Sequence, residues 1–539
     1  MSVHCHYCNY LPDGEYLCDP KSSDVCQPCK ELAEIEEKVK SIRLMIVGLE
    51  NQRQKLKTRA NQHHDRLVHR LPPEIAAMIF ELCIPEDMMD VIESEEEEEE
   101  ESPKYPILTP LVISAVCEGW RSVAFSTPRL WNSLPIYPRS LRSPVLVKDW
   151  IDRSGQLPLS FLIHLPSGNE ETAIDIIDIL TKYSTRWSEL RCNVPKHLFS
   201  HLPNGFQDLP MLRSLHLHSL NGDFSNIPLD IHPQQLHELS LREIALASLH
   251  FDWTRLTHFT IDDVTLSEAF EVLLRAPNLK KCIFHDFTSS DSDDNEAELL
   301  SLTNPFVRSQ LHEIKIPLVL ADYIFKQLRC PSLNVLDSRS ISHDDVSAVL
   351  EFLKESKCPL ETLSLPGDVY MPAAEMISIC ESIPTLKHLS MGRIDEDDDG
   401  WDTTPVALCN VLSRMSKTYG KTEPSCLPSL RSISFEQYGS HAEVFRRIPN
   451  IFGWYTLPEC PLERLYHRHA LKSVTVLTNP DSPESAIFSL SGSIDEIDAV
   501  TLQKIVQLRK DGINLTLQYG VMKEDLIELA ATNLGISLA

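Results

Sequence analysis

The residues best suited to chemistry stand near the first residue. Cys5-x-x-Cys8 is followed, 17 residues later, by Cys26-x-x-Cys29. A CxxC turn points two thiolates at one centre, and two such turns complete a tetrahedron around Zn(II). Asp13-Gly14 and Pro20 supply turn chemistry for a short hairpin between the pairs. This segment, residues 1–30, has no apolar core of its own, so metal binding would supply much of its folding free energy. Four thiolates leave no open coordination position, so the expected zinc is structural. His4, His6 and Cys18 are alternative ligands in the same stretch.

Elsewhere no nucleophile stands with a base at catalytic spacing. Gly420-Lys421-Thr422 ends like a P-loop, but Met415 occupies the position where the first glycine of that loop is required. The chain contains no GxSxG, HExxH or GxGxxG, and its 21 histidines are scattered, with His63-His64 on the polar stretch of a helix. Glycine is scarce, 17 in 539 residues, about half the usual ~7%, which disfavours folds that cradle phosphates in glycine loops. The expectation is a protein with no catalytic activity of its own.

Charge and cysteine usage narrow the partners. Lys+Arg 50 against Asp+Glu 78 gives a net charge of −28, which argues against nucleic acid or an anionic membrane surface. The uncharged run Tyr105 to Cys117 carries Pro106 and Pro110 and falls short of the ~20 residues of a membrane span. The opening Met1-Ser2-Val3-His4-Cys5 has neither a basic nor an apolar signal region. Fifteen cysteines is an odd number, and Cys192, Cys282, Cys330 and Cys380 sit singly in apolar stretches, the usage of a reducing compartment. A cytoplasmic or nuclear location is expected.

The elements that carry these residues follow from periodicity. In residues 31–65, Leu32, Ile35, Val39, Ile42, Ile46, Leu49 and Leu56 recur in steps of 3 and 4, then 7, an a/d heptad seam flanked by Glu and Lys. The helix either packs on its neighbour or self-associates as a coiled coil. Next, Leu71-Pro72-Pro73 suits a helix start, and Ile75, Met78, Ile79 and Leu82 form one apolar stripe. Pro110 to Phe125 reads as a second amphipathic helix, ending at Ser126-Thr127-Pro128-Arg129-Leu130-Trp131.

These two blocks resemble the F-box, whose pattern is LPxEIxxxIF, a gap, a helix of the form VCxxWRxxA, and SxPxLW. The chain looks most like the fungal F-box-like proteins, in which a heptad helix often precedes the motif. The resemblance covers residues 66–135, within an expected domain at 66–138. It implies a helical module that docks on a Skp-type adaptor and so joins a cullin–RING (SCF-type) ubiquitin ligase complex. Carried over by position, Leu71, Pro72, Ile75, Ile79, Phe80, Val116, Cys117 and Trp120 would face the adaptor or stabilise the module. Four well-spaced cysteines are too few for the eight ligands of a RING, so ubiquitin transfer would belong to other subunits. The segment between the blocks, 86–109, includes the unbroken run Glu95–Glu101 and is expected to be a solvated loop.

From residue 187 the pattern apolar-x-x-apolar-x-apolar recurs, as in Trp187-Leu190-Cys192, Leu212-Leu215-Leu217, Leu236-Leu239-Leu241, Leu256-Phe259-Ile261, Leu279-Cys282-Phe284, Leu311-Ile314-Ile316, Leu360-Leu363-Leu365, Leu386-Leu389-Met391 and Leu430-Ile433-Phe435. With Leu333-Leu336 as a degenerate copy, leading positions from 212 to 386 are spaced 24, 20, 23, 32, 22, 27 and 26, around the ~20–29 residues of a leucine-rich repeat. Prolines 277, 331, 359 and 384 stand just before several copies, where they would end a helix. Residues 139–539 are thus similar to the leucine-rich-repeat domains with which F-box proteins hold substrates, although Leu220, Ile244 and Val264 stand where the repeat asparagine is usual. The expected fold class is α+β multidomain: a zinc segment, a heptad helix, a helical module and an irregular α/β solenoid that binds an unknown target protein. The expected function is a substrate-recruiting ligase subunit; the alternative is an interaction scaffold with no ligase attached.

Overall fold

The computed structural model describes residues 27–64, 71–85, 108–137, 143–165, 170–199, 201, 209–220, 233–244, 246, 251–287, 305–317, 323–338, 347–365, 373–392, 408–409, 411–413, 427–438, 442–452, 471–479, 498–519, 524–525 and 527. The expected zinc ligands Cys5, Cys8 and Cys26 therefore lie outside the described residues, as do His4, His6 and Cys18, the acidic run Glu95–Glu101 and the acidic stretches 291–298 and 395–399. The chain divides into two compact units, Met1–Pro135 with Lys148–Leu157, and Ile136–Val147 with Pro158–Ala539.

In the first unit, the heptad stretch forms one helix, α1 (Gln27–His64, 38 residues). It begins four residues before the boundary read from the heptads, so Cys29 stands in its first turn. Pro72 opens α2 (Pro73–Glu81), its carbonyl accepting from the N–H of Ile75 at 3.0 Å and of Ala76 at 3.2 Å. Proline at these positions costs nothing, because the first N–H groups of a helix have no partner within it. The second block differs from expectation. It is not one helix but two, α3 (Thr109–Val116) and α4 (Glu118–Phe125), broken at Cys117, whose φ −158° and ψ 174° are extended. Two local contacts support the break: Cys117 Sγ caps α4 by accepting from Trp120 N at 3.4 Å, and Arg121 Nε donates to Ser114 O at 2.9 Å across the corner. Thr127 and Pro128 then lead into a 3₁₀ turn, Pro128–Trp131.

Trp131 anchors the core of this unit and is fully buried with Ala76, Phe80, Ala124 and Leu130. Its indole N–H donates to Ala124 O at 2.8 Å. Its ring meets Trp150 edge-on at 4.8 Å between centroids and Phe125 at 5.7 Å. Trp150 lies on α5 (Pro144–Arg153), from which Arg153 also places its guanidinium 4.2 Å from the Phe125 ring centre. Such offset aromatic packing adds about 0.5–1.5 kcal/mol per pair beyond the area buried.

The second unit is a long parallel sheet with helices, a mixed α/β architecture. After β1 (Ser133–Ile136) the strands are β2 (Leu159–His164), β3 (Trp187–Val194), β4 (Ser214–Ser219), β5 (Glu238–Arg242), β6 (His258–Val264), β7 (Lys281–Phe287), β8 (Phe306–Val307), β9 (Glu313–Lys315), β10 (Leu328–Arg329), β11 (Val335–Asp337), β12 (Thr362–Leu365), β13 (His388–Met391), β14 (Ser432–Tyr438), β15 (Ser473–Asn479), β16 (Asn514–Tyr519) and β17 (Glu524–Asp525). From β2 to β16 the main sheet runs in chain order, omitting β8 and β10, and every pairing is parallel. β17 is antiparallel to β16, and β8 and β10 form a separate parallel pair.

A repeated backbone device sets the register. Arg213 O accepts from both His237 N (2.8 Å) and Glu238 N (3.0 Å), and His237 O accepts likewise from Thr257 N and His258 N. The same doublet recurs at the carbonyls of Thr257, Lys280, His312, Asn334, Glu361, Lys387 and Arg431. The residue before each of these carbonyls is a leucine, at 212, 236, 256, 279, 311, 333, 360, 386 and 430, and all nine are at most 2% exposed. Each leucine thus fixes the point where a strand joins its neighbour, and the apolar residues three and five positions later point to the same interior. The helices Leu266–Arg275, Ser347–Ser356 and Ala373–Ser382 end two or three positions before Pro277, Pro359 and Pro384, as a residue without an N–H requires.

Candidate protein-interaction surfaces

Two surfaces of different chemistry stand out, one in each unit. In the first unit the amphipathic helices cover only part of their apolar surface. Ile75 is 42% exposed, Met78 58% and Leu82 85%, a line at i, i+3 and i+7 along α2. On α3, Leu111, Val112 and Val116 are also exposed. An isolated exposed apolar residue is ordinary, but six on α2, its C-cap Leu82 and α3 make these residues a candidate partner site.

The eight residues singled out in the sequence divide between this surface and the core. Ile75 and Val116 are exposed, Pro72 is exposed at the start of α2, and Leu71, Ile79 and Trp120 are half-buried. Phe80 and Cys117 are buried, 1% and 8% exposed, and stabilise the module. Phe80 packs against Trp120 with 4.9 Å between ring centroids. The Trp120 indole nitrogen is shielded from solvent and has no hydrogen-bond partner among the described residues. The sequence reading placed Met78 and Leu82 in the helical stripe without assigning them to the partner-facing set, and it left out Leu111 and Val112. The signal for Met78 and Leu82 was their 3–4 spacing with Ile75. Leu111 and Val112 carry none that distinguishes outside from inside in so apolar a segment.

In the second unit, the strand residues that alternate with the buried leucines line a polar face. Near its middle, Arg242 on β5 pairs with Asp262 on β6 at 2.8 Å. His285 on β7 lies 3.9 Å from the same carboxylate, and Lys315 Nζ on β9 is 3.1 Å from His285 Nδ1. Burial and the Lys315 ammonium lower the His285 pKa to about 4, with Arg242 adding to this and Asp286 and Asp337 opposing it. His285 is therefore neutral at pH 7 and acts here as a hydrogen-bonding group between charges. Asp263 is raised from its ordinary value by burial and by Asp286 beside it. Further along, hydroxyls replace the charges: His388 Nδ1 meets Ser432 Oγ at 2.6 Å, and Ser434 Oγ donates to Ser390 Oγ at 2.9 Å. The face thus carries ion pairs and hydroxyl hydrogen bonds between successive strands.

The buried thiols add no reactive centre. Burial pushes the thiols of Cys192 and Cys409 up to about 12, and it raises Cys282 and Cys330 as well. No group of three or more metal-ligating side chains occurs among the described residues. No helix among them is long and apolar enough to cross a membrane. No protein-family model matches this chain, and no curated protein was found similar to it.

Proposed function

We propose that the protein is a substrate-recruiting, F-box-like subunit of a cullin–RING (SCF-type) ubiquitin ligase. On this reading the module at 66–138 binds a Skp-type adaptor, and the β-sheet unit holds a target protein along its polar face. The observation that carries it is the exposed line Ile75, Met78, Leu82 with Leu111, Val112 and Val116, on the helices formed by the two motif blocks. Covering one such side chain contributes about 1.5–3 kcal/mol when burial is complete. Several together suffice for a specific partner after the costs of association.

The subunit catalyses nothing itself. It raises the effective concentration of the target beside a charged conjugating enzyme held by other subunits. Cys5, Cys8, Cys26 and Cys29 would hold a structural zinc ion, and the chain would work in the cytoplasm or nucleus.

The test is native purification of the tagged chain, with recovery of adaptor and cullin measured. Changing Ile75 and Val116 to aspartate should abolish recovery while the chain stays folded. Undiminished recovery, or no adaptor with the unchanged protein, would remove the reading. The scaffold alternative draws on one observation, the exposed seam of α1, and predicts self-association without any adaptor.

A further inference from the structure

The longest helix among the described residues, α1, displays an apolar seam. Within α1, Ile35 is 54% exposed, Ile42 55%, Leu49 58% and Leu56 63%, and Val39 and Ile46 are exposed with them. At about 1.5 Å per residue the helix is about 57 Å long, so the seam extends over more than three heptads.

With Leu32 at position a, the a positions are Leu32, Val39, Ile46, Arg53 and Ala60, and Ile35, Ile42, Leu49 and Leu56 lie at d. The flanking g positions hold Glu31, Lys38, Met45, Gln52 and Arg59, and the e positions hold Glu36, Arg43, Glu50 and Lys57. Leu44 and Val47 fall at f and b, outside the seam. In a parallel pair each g residue meets the e residue five positions on in its partner. That arrangement sets Glu31 against Glu36 and Lys38 against Arg43, twice each, and no opposite charges meet. It also places Arg53 of one helix against Arg53 of the other in the apolar layer.

An antiparallel pair reverses the outcome. Core residues that face each other then share a constant sum of numbers, and the sum 95 aligns Ile46 with Leu49, Val39 with Leu56 and Ile35 with Ala60, with the flanking e–e and g–g pairs offset to sums of 93 and 97. Arg53 lies opposite Ile42, where its aliphatic stem covers the seam and its charge reaches solvent. The e positions now pair Glu36 with Lys57 and Arg43 with Glu50, each twice. The only like-charge contact is Lys38 with Arg59. The exposed seam is thus complementary in charge to itself when reversed, and incompatible with itself in parallel.

We infer that α1 is a homodimerisation element in which two copies of this chain pair as an antiparallel coiled coil, with Arg43 bound to Glu50 of the second copy. This inference is independent of adaptor binding and stands or falls without it.

The test is sedimentation equilibrium of the full chain with helicity followed by circular dichroism. The unchanged protein should be a dimer. Glu50→Arg should weaken dimerisation about tenfold, since two attractive pairs become repulsive. Arg43→Glu combined with Glu50→Arg should restore it. A monomer across the micromolar range overturns the inference. So does a dimer insensitive to Glu50→Arg but tightened by Arg43→Glu alone, which is the behaviour of a parallel pair with Lys38 facing position 43. Failure of the double variant to recover association overturns the assigned pairing. All these positions are solvent-exposed, so the helix itself should persist in each variant.

Discussion

Replacing Trp131 with alanine separates what holds the helical module together from what it presents. Trp131 is fully buried, donates to Ala124 O at 2.8 Å, and packs edge-on with Trp150 and Phe125. Truncating a buried tryptophan costs about 3–5 kcal/mol, against a total of about 5–15 kcal/mol for an ordinary domain. Trp131→Ala should therefore leave the module partly or wholly unfolded, whereas Trp131→Phe keeps most of the packing and removes one hydrogen bond to the Ala124 carbonyl, which still accepts from Thr127 N at 3.2 Å, a loss of about 0.5–1.5 kcal/mol. Hydrogen exchange read on peptides spanning residues 118–131 measures this directly. Exchange there should rise by orders of magnitude in Trp131→Ala, modestly in Trp131→Phe, and not at all in Val112→Asp, because Val112 is 55% exposed. Unchanged protection of that segment in Trp131→Ala would refute the packing described for the first unit.

Further expectations concern the rest of the chain. His285 has a folded pKa of about 4, below its ordinary value of 6.5. It therefore lowers stability progressively as pH falls from 6.5 toward 4, where the unfolded chain takes up a proton that the folded chain refuses, and has no effect above 6.5. Thermal unfolding at about pH 7 and about pH 5 should show a smaller loss for His285→Gln than for the parent, by a modest amount, since the side chain is 39% exposed. Native alkylation followed by mass spectrometry should label Cys83, which is exposed, and spare Cys192, Cys282, Cys330 and Cys409 until urea is added; equal labelling of all five would contradict the buried strands. One equivalent of zinc should accompany the purified full chain and be lost in Cys5→Ser with Cys26→Ser, measured by elemental analysis.

How far the sequence reaches depends on what each feature draws on. The leucines at 212 to 430 were legible because burial and strand alternation repeat at each copy, so one local rule fixes every strand start. Helix ends before Pro277, Pro359 and Pro384 were legible for an equally local reason. The break at Cys117 was not, since residues 110–125 keep helical spacing with no second proline after Pro110, and the glycine at 119 lies inside α4 rather than at the corner; the corner depends on Arg121 reaching Ser114 O. The capping box at Thr265, in which Glu268 N donates to Thr265 Oγ1 at 3.3 Å and Thr265 N to Glu268 Oε2 at 3.1 Å, does carry a local signature in Thr265-x-x-Glu268. The division of the module's apolar residues into core and surface was the least legible. An amphipathic stripe shows that one side is apolar, not whether its own chain covers it: Phe80 packs against Trp120 of α4 and is buried, while Met78 two residues earlier is exposed. The charge ladder from Arg242 to Lys315 likewise joins residues 73 positions apart in sequence, which no local pattern connects.

Titration calorimetry of the full chain with a purified Skp-type adaptor tests most directly the proposal that a second polypeptide covers the exposed apolar residues of α2 and α3. One adaptor should bind per chain with a negative heat-capacity change, the mark of apolar burial. Met78→Asp combined with Val112→Asp should weaken binding at least tenfold while leaving hydrogen exchange in residues 118–131 unchanged. No heat with the parent protein, or equal affinity for parent and variant, would contradict the assignment.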